Sequence, residues 1–174
     1  MHVLIATDGS KQSIASASYL RSIVDPQTVT KVAVVAVVSP MAAVPFANDD
    51  ETRQRTLAEM SFRKAAEAAT RQVAEVLDDW GPAVTTHVYS GSPPAEIIKA
   101  ANRFGSGLIV IASKSTRTQA VLMGSVAHRV LNQATCPVLV HRPGNKPKRG
   151  PRKAAQKSVP KVSRKPRPGS AERP

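Results

Sequence analysis

Met1-His2-Val3-Leu4-Ile5-Ala6-Thr7-Asp8-Gly9-Ser10 opens the chain, and how it is read decides the fold. Val3 to Ala6 is a short unbroken apolar run, the pattern of a strand covered on both faces rather than one with a wet side. Thr7-Asp8-Gly9-Ser10 closes the run with turn-forming residues and leaves Ser10 placed as the N-cap of a helix. A buried strand that turns straight into a helix is the first half of a crossover, and crossovers are what parallel strands require.

Working outward, the same alternation recurs along the chain. Ile14, Ala17, Leu20 and Val24 fall at helical spacing and stop at Asp25-Pro26, and Val32 to Val38 is again nearly all apolar and β-branched. An irregular connection from Met41 to Asn48 precedes Asp49-Asp50-Glu51, acids placed where a helix N-terminus favours them. Ala58, Phe62, Ala65, Ala69, Val73 and Val76 then form one stripe of a long helix ending at Gly81-Pro82. A strand from Ala83 to Tyr89 leads to a helix opened by Ser92-Pro93-Pro94-Ala95-Glu96. Leu108 to Ala112 reads as a fourth strand, and a polar loop from Ser113 to Gln119 runs toward Gly124-Ser125 and a helix holding Val126, Val130 and Leu131. Pro137 to Val140 is a fifth strand. The expected fold is α/β: a five-stranded parallel doubly wound sheet with helices on both faces.

Composition agrees with one such domain and an appendage. The chain has 174 residues, 41% hydrophobic but only 3% aromatic, so its core must be aliphatic. The net charge of +13 is unevenly placed, for Pro143 to Pro174 holds eleven Lys or Arg against one acid, Glu172. The expected division is a domain over 1–142 and a basic tail over 143–174, disordered because it has too little apolar surface to offset its ordering entropy. The tail has no aromatic residue to stack on bases, so its expected partners are nucleic acid or another polyanion, bound without sequence preference. The single cysteine, Cys136, excludes an internal disulfide. No run reaches the length of a membrane span and no leader pattern precedes the first strand, which gives a cytoplasmic expectation.

In an open parallel sheet, ligands sit outside the carboxyl ends of the strands where the winding reverses, which directs attention to Thr7–Ser10 and to Ala112–Ser125. The chemistry-bearing residues there come with two others of note: Gly91-Ser92-Pro93-Pro94-Ala95-Glu96-Ile97-Ile98, and Met123-Gly124-Ser125-Val126-Ala127-His128-Arg129-Val130 running into Thr135-Cys136-Pro137-Val138-Leu139-Val140. With Thr7-Asp8-Gly9-Ser10, and in this order, they resemble the universal stress protein family over residues 1 to about 142. The resemblance implies an adenine nucleotide alpha hydrolase-like fold, a homodimer paired through the last strand, and ATP as ligand, with magnesium only alongside the nucleotide.

Nucleotide-binding members of that family carry a glycine, two residues, a second glycine, nine residues and then Gly-Ser or Gly-Thr, a spacing that lets backbone amides wrap phosphate oxygens at a helix N-terminus. Here Ala112 and Ser115 stand at the first two positions, eight residues from Thr116 to Met123 follow, and only Gly124-Ser125 remains. The implied site is therefore a weakened one. The resemblance puts Asp8 near the ribose or adenine, Val37 and Val38 beside the adenine, and Ser113, Ser115, Gly124 and Ser125 along the phosphates. Lys114 and Arg117 either compensate in charge for lost amide contacts or are solvated loop charges.

Each of these residues also has a purely structural reading. Asp8 with Gly9-Ser10 makes a turn and cap, Ser125 a helix cap, and Cys136 a packing residue. His2, His87, His128 and His141 share no metal-ligand spacing, and no nucleophile, base and acid assemble from the sequence. Asp78-Asp79 opposes a helix dipole and is expected to be solvated. The expected function is a stress-response regulatory protein that binds ATP weakly and catalyses nothing. The competing expectation is a dimeric scaffold that binds no nucleotide and is attached to nucleic acid or another polyanion by its tail.

Overall fold

The computed structural model describes residues 1–40, 49–113 and 123–142. The irregular connection at 41–48, the loop residues Lys114, Ser115 and Arg117, and the tail at 143–174 lie outside the described residues.

Five strands make one sheet: β1 (His2–Thr7), β2 (Lys31–Val38), β3 (Ala83–Ser90), β4 (Ser106–Ala112) and β5 (Val138–His141). All pairings are parallel and the order is β3-β2-β1-β4-β5. The chain winds outward from β1 to one edge, then returns across it to β4, so the winding reverses between β1 and β4. The helices α1 (Lys11–Ile23), α2 (Asp49–Val76), α3 (Pro93–Phe104) and α4 (Ser125–Gln133) make the crossovers.

The period-2 geometry of the strands divides the core in two. Val3, Ile5, Val32, Val34 and Val110 point to the face covered by α1 and α2, where Leu20, Val73, Leu77 and Trp80 meet them. Leu4, Ala6, Val35, Ile109 and Ile111 point to the other face, packed by Ile97, Ala100 and Ala101 of α3 and Ala127 and Val130 of α4. That double coverage is why β1 and β2 read as continuous apolar runs rather than alternating ones.

The long stripe of α2 is buried only toward its C-terminal end. Ala69 and Val73 are in the core, whereas Phe62, expected to pack with them, is 52% exposed. The reason is length: 28 helical residues run about 42 Å, while an eight-residue strand reaches about 26 Å, so the helix outruns the sheet. Periodicity specifies a face and is silent on where the sheet ends. Leu131, expected on the apolar side of α4, is likewise exposed. Asp79 is not merely solvated as expected. It pairs with Arg21 of α1, which also donates to the carbonyl of Val76 at 2.7 Å and so closes the end of α2.

Cys136 is partly buried against the α3/α4 face, and burial pushes its thiol above the ordinary range. Among the described residues, no helix is long and apolar enough to cross a membrane.

Candidate functional site

At the carboxyl edge of the sheet, where β1 and β4 part, lies a cleft of about 270 Å³. Its apolar walls are Val35 and Val37 from β2, Ile111 from β4 and Ile97 from α3. Polar groups enter from two turns: Thr7, Asp8, Ser10, Gln12 and Ser13 at the start of α1, and Gly124 and Ser125 at the start of α4. Apolar walls with a few convergent polar groups at a switch point are the usual make-up of a small-molecule site.

The first turn is built by local hydrogen bonds. Asp8 Oδ1 accepts from the Ser10 amide at 3.0 Å, an Asx-turn, and Ser10 Oγ caps α1 by accepting from the Ser13 amide at 3.2 Å. Gly9 between them has φ +75°, where a side chain is strained, and a Cβ there would meet Ala69 Cβ of α2 at 3.1 Å. Burial alone would push the Asp8 carboxyl up. The Ser10 hydroxyl, the amides of Ser10 and Asp8 and the Ser13 hydroxyl outweigh it and hold the carboxyl below its ordinary value. Asp8 is thus a carboxylate at neutral pH.

The second turn is differently made. The N-cap of α4 is Gly124, φ −56°, with no side-chain cap hydrogen bond, and Ser125 is the first helical residue and exposed. The reading of Ser125 as the cap is therefore displaced by one residue. Glycine brings no side-chain acceptor, so the first amides of α4 are left for an anion or solvent at the cleft.

The predicted site residues divide accordingly. Asp8, Val37, Gly124 and Ser125 line this cleft together. Val38 lines instead a second, more open hollow of about 650 Å³ beside α2, which shares Thr7, Asp8 and Val37 with the first. Ser113 is buried, its amide donates to the carbonyl of His141 at 2.9 Å, and it is not among the cleft-lining residues. It ends the β4–β5 pairing, and its buried Oγ has no hydrogen-bond partner among the described residues. Ser115 lies outside the described residues. Sequence reasoning missed Gln12 and Ser13 on α1 and Pro93 and Ile97 on α3, which line the cleft as well. Their helices were foreseen, and the first turn of each points to the carboxyl edge, but nothing local in sequence assigns those turns to one cleft.

Among the described residues no three His, Cys, Asp or Glu side chains gather in a way that could hold a metal ion. His2 and His87 converge instead on the Phe104 ring, with centroids at 5.6 and 4.8 Å.

The universal stress protein family model matches residues 1–142. A universal stress protein of Methanocaldococcus jannaschii, MJ0531, is 32% identical over 140 residues, covering 79% of each chain. Among solved structures, the universal stress protein UspA from Lactobacillus plantarum has the same fold, with a TM-score of 0.67 at 21% identity over 82% of this chain and 97% of that one. A universal stress protein solved in complex with cAMP superposes with a TM-score of 0.55 at 18% identity, over 82% of this chain and 96% of that one.

Proposed function

This chain belongs to the universal stress protein family, and from that premise we propose that it is a regulatory protein whose cleft between β1 and β4 binds an adenine nucleotide weakly. The observation that carries the reading is the meeting, in one cleft, of an ionised Asp8 and the uncapped N-terminus of α4 at Gly124. A carboxylate accepts from hydroxyl or amino groups and repels phosphate. Free helix amides do the opposite, so the two ends of the cleft match the two ends of a nucleotide. Val35, Val37 and Ile97 offer the apolar surface a base requires. That a protein of this fold is known in complex with cAMP supports adenine as the base.

Weak binding follows from the degraded glycine pattern. Ala112 and Ser115 replace glycines, and a side chain at such a position keeps backbone amides away from phosphate oxygens. Magnesium, where it enters, would come with the phosphates. Titration calorimetry of the full chain with ATP, with and without magnesium, tests the reading. Binding should be lost or weakened about tenfold or more in Asp8→Ala and in Gly124→Val. No heat from the unaltered protein at millimolar ATP would leave the scaffold reading.

A homodimer contact at β5 is part of the same reading, supported by its being an edge strand whose Val138, Leu139 and Val140 are half-buried in the single chain. The charge of residues 143–174 supports binding to nucleic acid or another polyanion. Sedimentation of the full chain, alone and with a DNA duplex of arbitrary sequence, addresses both: a monomer alone rejects the first, and unchanged sedimentation with duplex at low salt rejects the second.

A further inference from the structure

Behind the Asp8 turn, the Gly9 amide, the Thr7 and Ser13 hydroxyls and the Ser10 carbonyl form a bonded chain. The Ser13 hydroxyl donates to the carbonyl of Ser10 at 2.8 Å, and a carbonyl can only accept, so the single Ser13 proton is committed there. Thr7 Oγ1 and Ser13 Oγ are 2.8 Å apart, and when the Ser13 proton is given to the Ser10 carbonyl, Thr7 is the donor of that pair. Thr7 Oγ1 in turn accepts the Gly9 amide at 3.1 Å. The result is a directed relay, Gly9 amide to Thr7 hydroxyl to Ser13 hydroxyl to Ser10 carbonyl, which starts and ends in the turn that carries Asp8. Thr7 is 8% and Ser13 2% exposed, so water does not compete for these bonds and losing one strands a buried polar group. On the other side the turn runs close to Ala69 of α2, where even a Cβ added at Gly9 would be crowded.

We propose that Thr7 and Ser13 are positioning residues, their buried hydroxyl relay fixing the 7–10 turn so that the Asp8 carboxylate is held at the cleft. The inference rests on the reading of that cleft as a nucleotide site for its consequence, but the relay itself exists in the ligand-free protein. Asp8 reports on it directly: the same turn delivers the Ser10 amide to Oδ1, and the Ser10 groups help hold the carboxyl below its ordinary value.

The experiment is an NMR titration of the Asp8 side-chain carboxyl in the ligand-free full chain, paired with ATP calorimetry on the same samples. Thr7→Val keeps the shape and strand preference of threonine while removing the hydroxyl. It should raise the Asp8 pKa toward its ordinary value and weaken ATP roughly tenfold. Thr7→Ser, which restores the hydroxyl, should return both to the wild-type values, as a merely structural role for the methyl would not. Ser13→Ala should act in the same direction, and Thr7→Val combined with Ser13→Ala should do no more than the larger single change. A folded Thr7→Val or Ser13→Ala protein whose Asp8 titrates as in the wild type would overturn the proposal, as would strictly additive effects. A shifted Asp8 titration in a protein that binds no ATP would uphold the relay and refute the nucleotide reading alone.

Discussion

Two turns feed the same cleft and are held by opposite means. At the start of α1, Asp8, Ser10, Thr7 and Ser13 bond one another, and Ser10 caps the Ser13 amide, so the turn is held without a ligand. At the start of α4, Gly124 supplies no side-chain acceptor, and among the described residues no side-chain cap bonds the amides behind it. One turn spends its polar groups on itself and presents a single charge, while the other keeps its polar groups for whatever arrives.

The glycines of the two turns give the sharpest contrast. Gly9 lies at φ +75° against Ala69, so Gly9→Val should cost on the order of 1–3 kcal/mol in denaturant unfolding from backbone strain alone, and more where the crowding is not relieved. Gly124 has φ −56°, which carries no backbone strain for a side chain, and Gly124→Val should cost no more than about 1 kcal/mol, as a poorer N-cap, while it removes nucleotide binding. Equal losses of stability in the two variants would erase the distinction between the turns.

A smaller difference is expected of the serines. Ser10→Ala removes a cap that accepts the Ser13 amide and should cost about 1 kcal/mol, whereas Ser125→Ala, at an exposed first helical position, should fall within about 0.5 kcal/mol. Thermal unfolding of the pair decides it, and a Ser125 effect as large as that of Ser10 would mean that α4 is capped after all.

The smallest effect lies away from both turns. Burial, then the positive charges of Arg103 and His2, push the His87 imidazole below its ordinary value of 6.5. The unfolded chain therefore takes up this proton before the folded chain does, and the stability contributed by neutral His87 is complete above pH 6.5 and lost as pH falls below it. His141, lowered by burial, adds in the same direction. His87→Gln should flatten the fall in denaturation midpoint between neutral and mildly acid pH. An unaltered slope would show that His87 is not its source.

The layers of the fold were legible because their signals are local. Val32 to Val38 can hardly be anything but a covered strand, and Asp8-Gly9-Ser10 carries its turn chemistry within three residues. What escaped depends on distance or on ambiguity. Phe62 sits on the predicted stripe, but the end of the sheet beneath it is set by other strands. Gly124-Ser125 offers two cap formers in succession, and periodicity cannot choose between them. The Thr7–Ser13 bond joins a strand end to a helix first turn, a spacing that belongs to neither period, so only the folded turn brings the hydroxyls together. That the Ser113 amide extends the β4–β5 pair was not legible either, because the partner carbonyl, His141, is far along the chain.

The central claim, that an adenine nucleotide sits between the two turns, is tested most directly by amide chemical-shift mapping of the full chain titrated with ATP and, separately, with cAMP. The predicted result is a saturable set of shifts confined to Asp8, Ser10, Val37, Gly124, Ser125 and their neighbours, absent in Gly124→Val. Millimolar nucleotide that leaves those amides unmoved, or that shifts only residues of 143–174 by charge, would contradict the account.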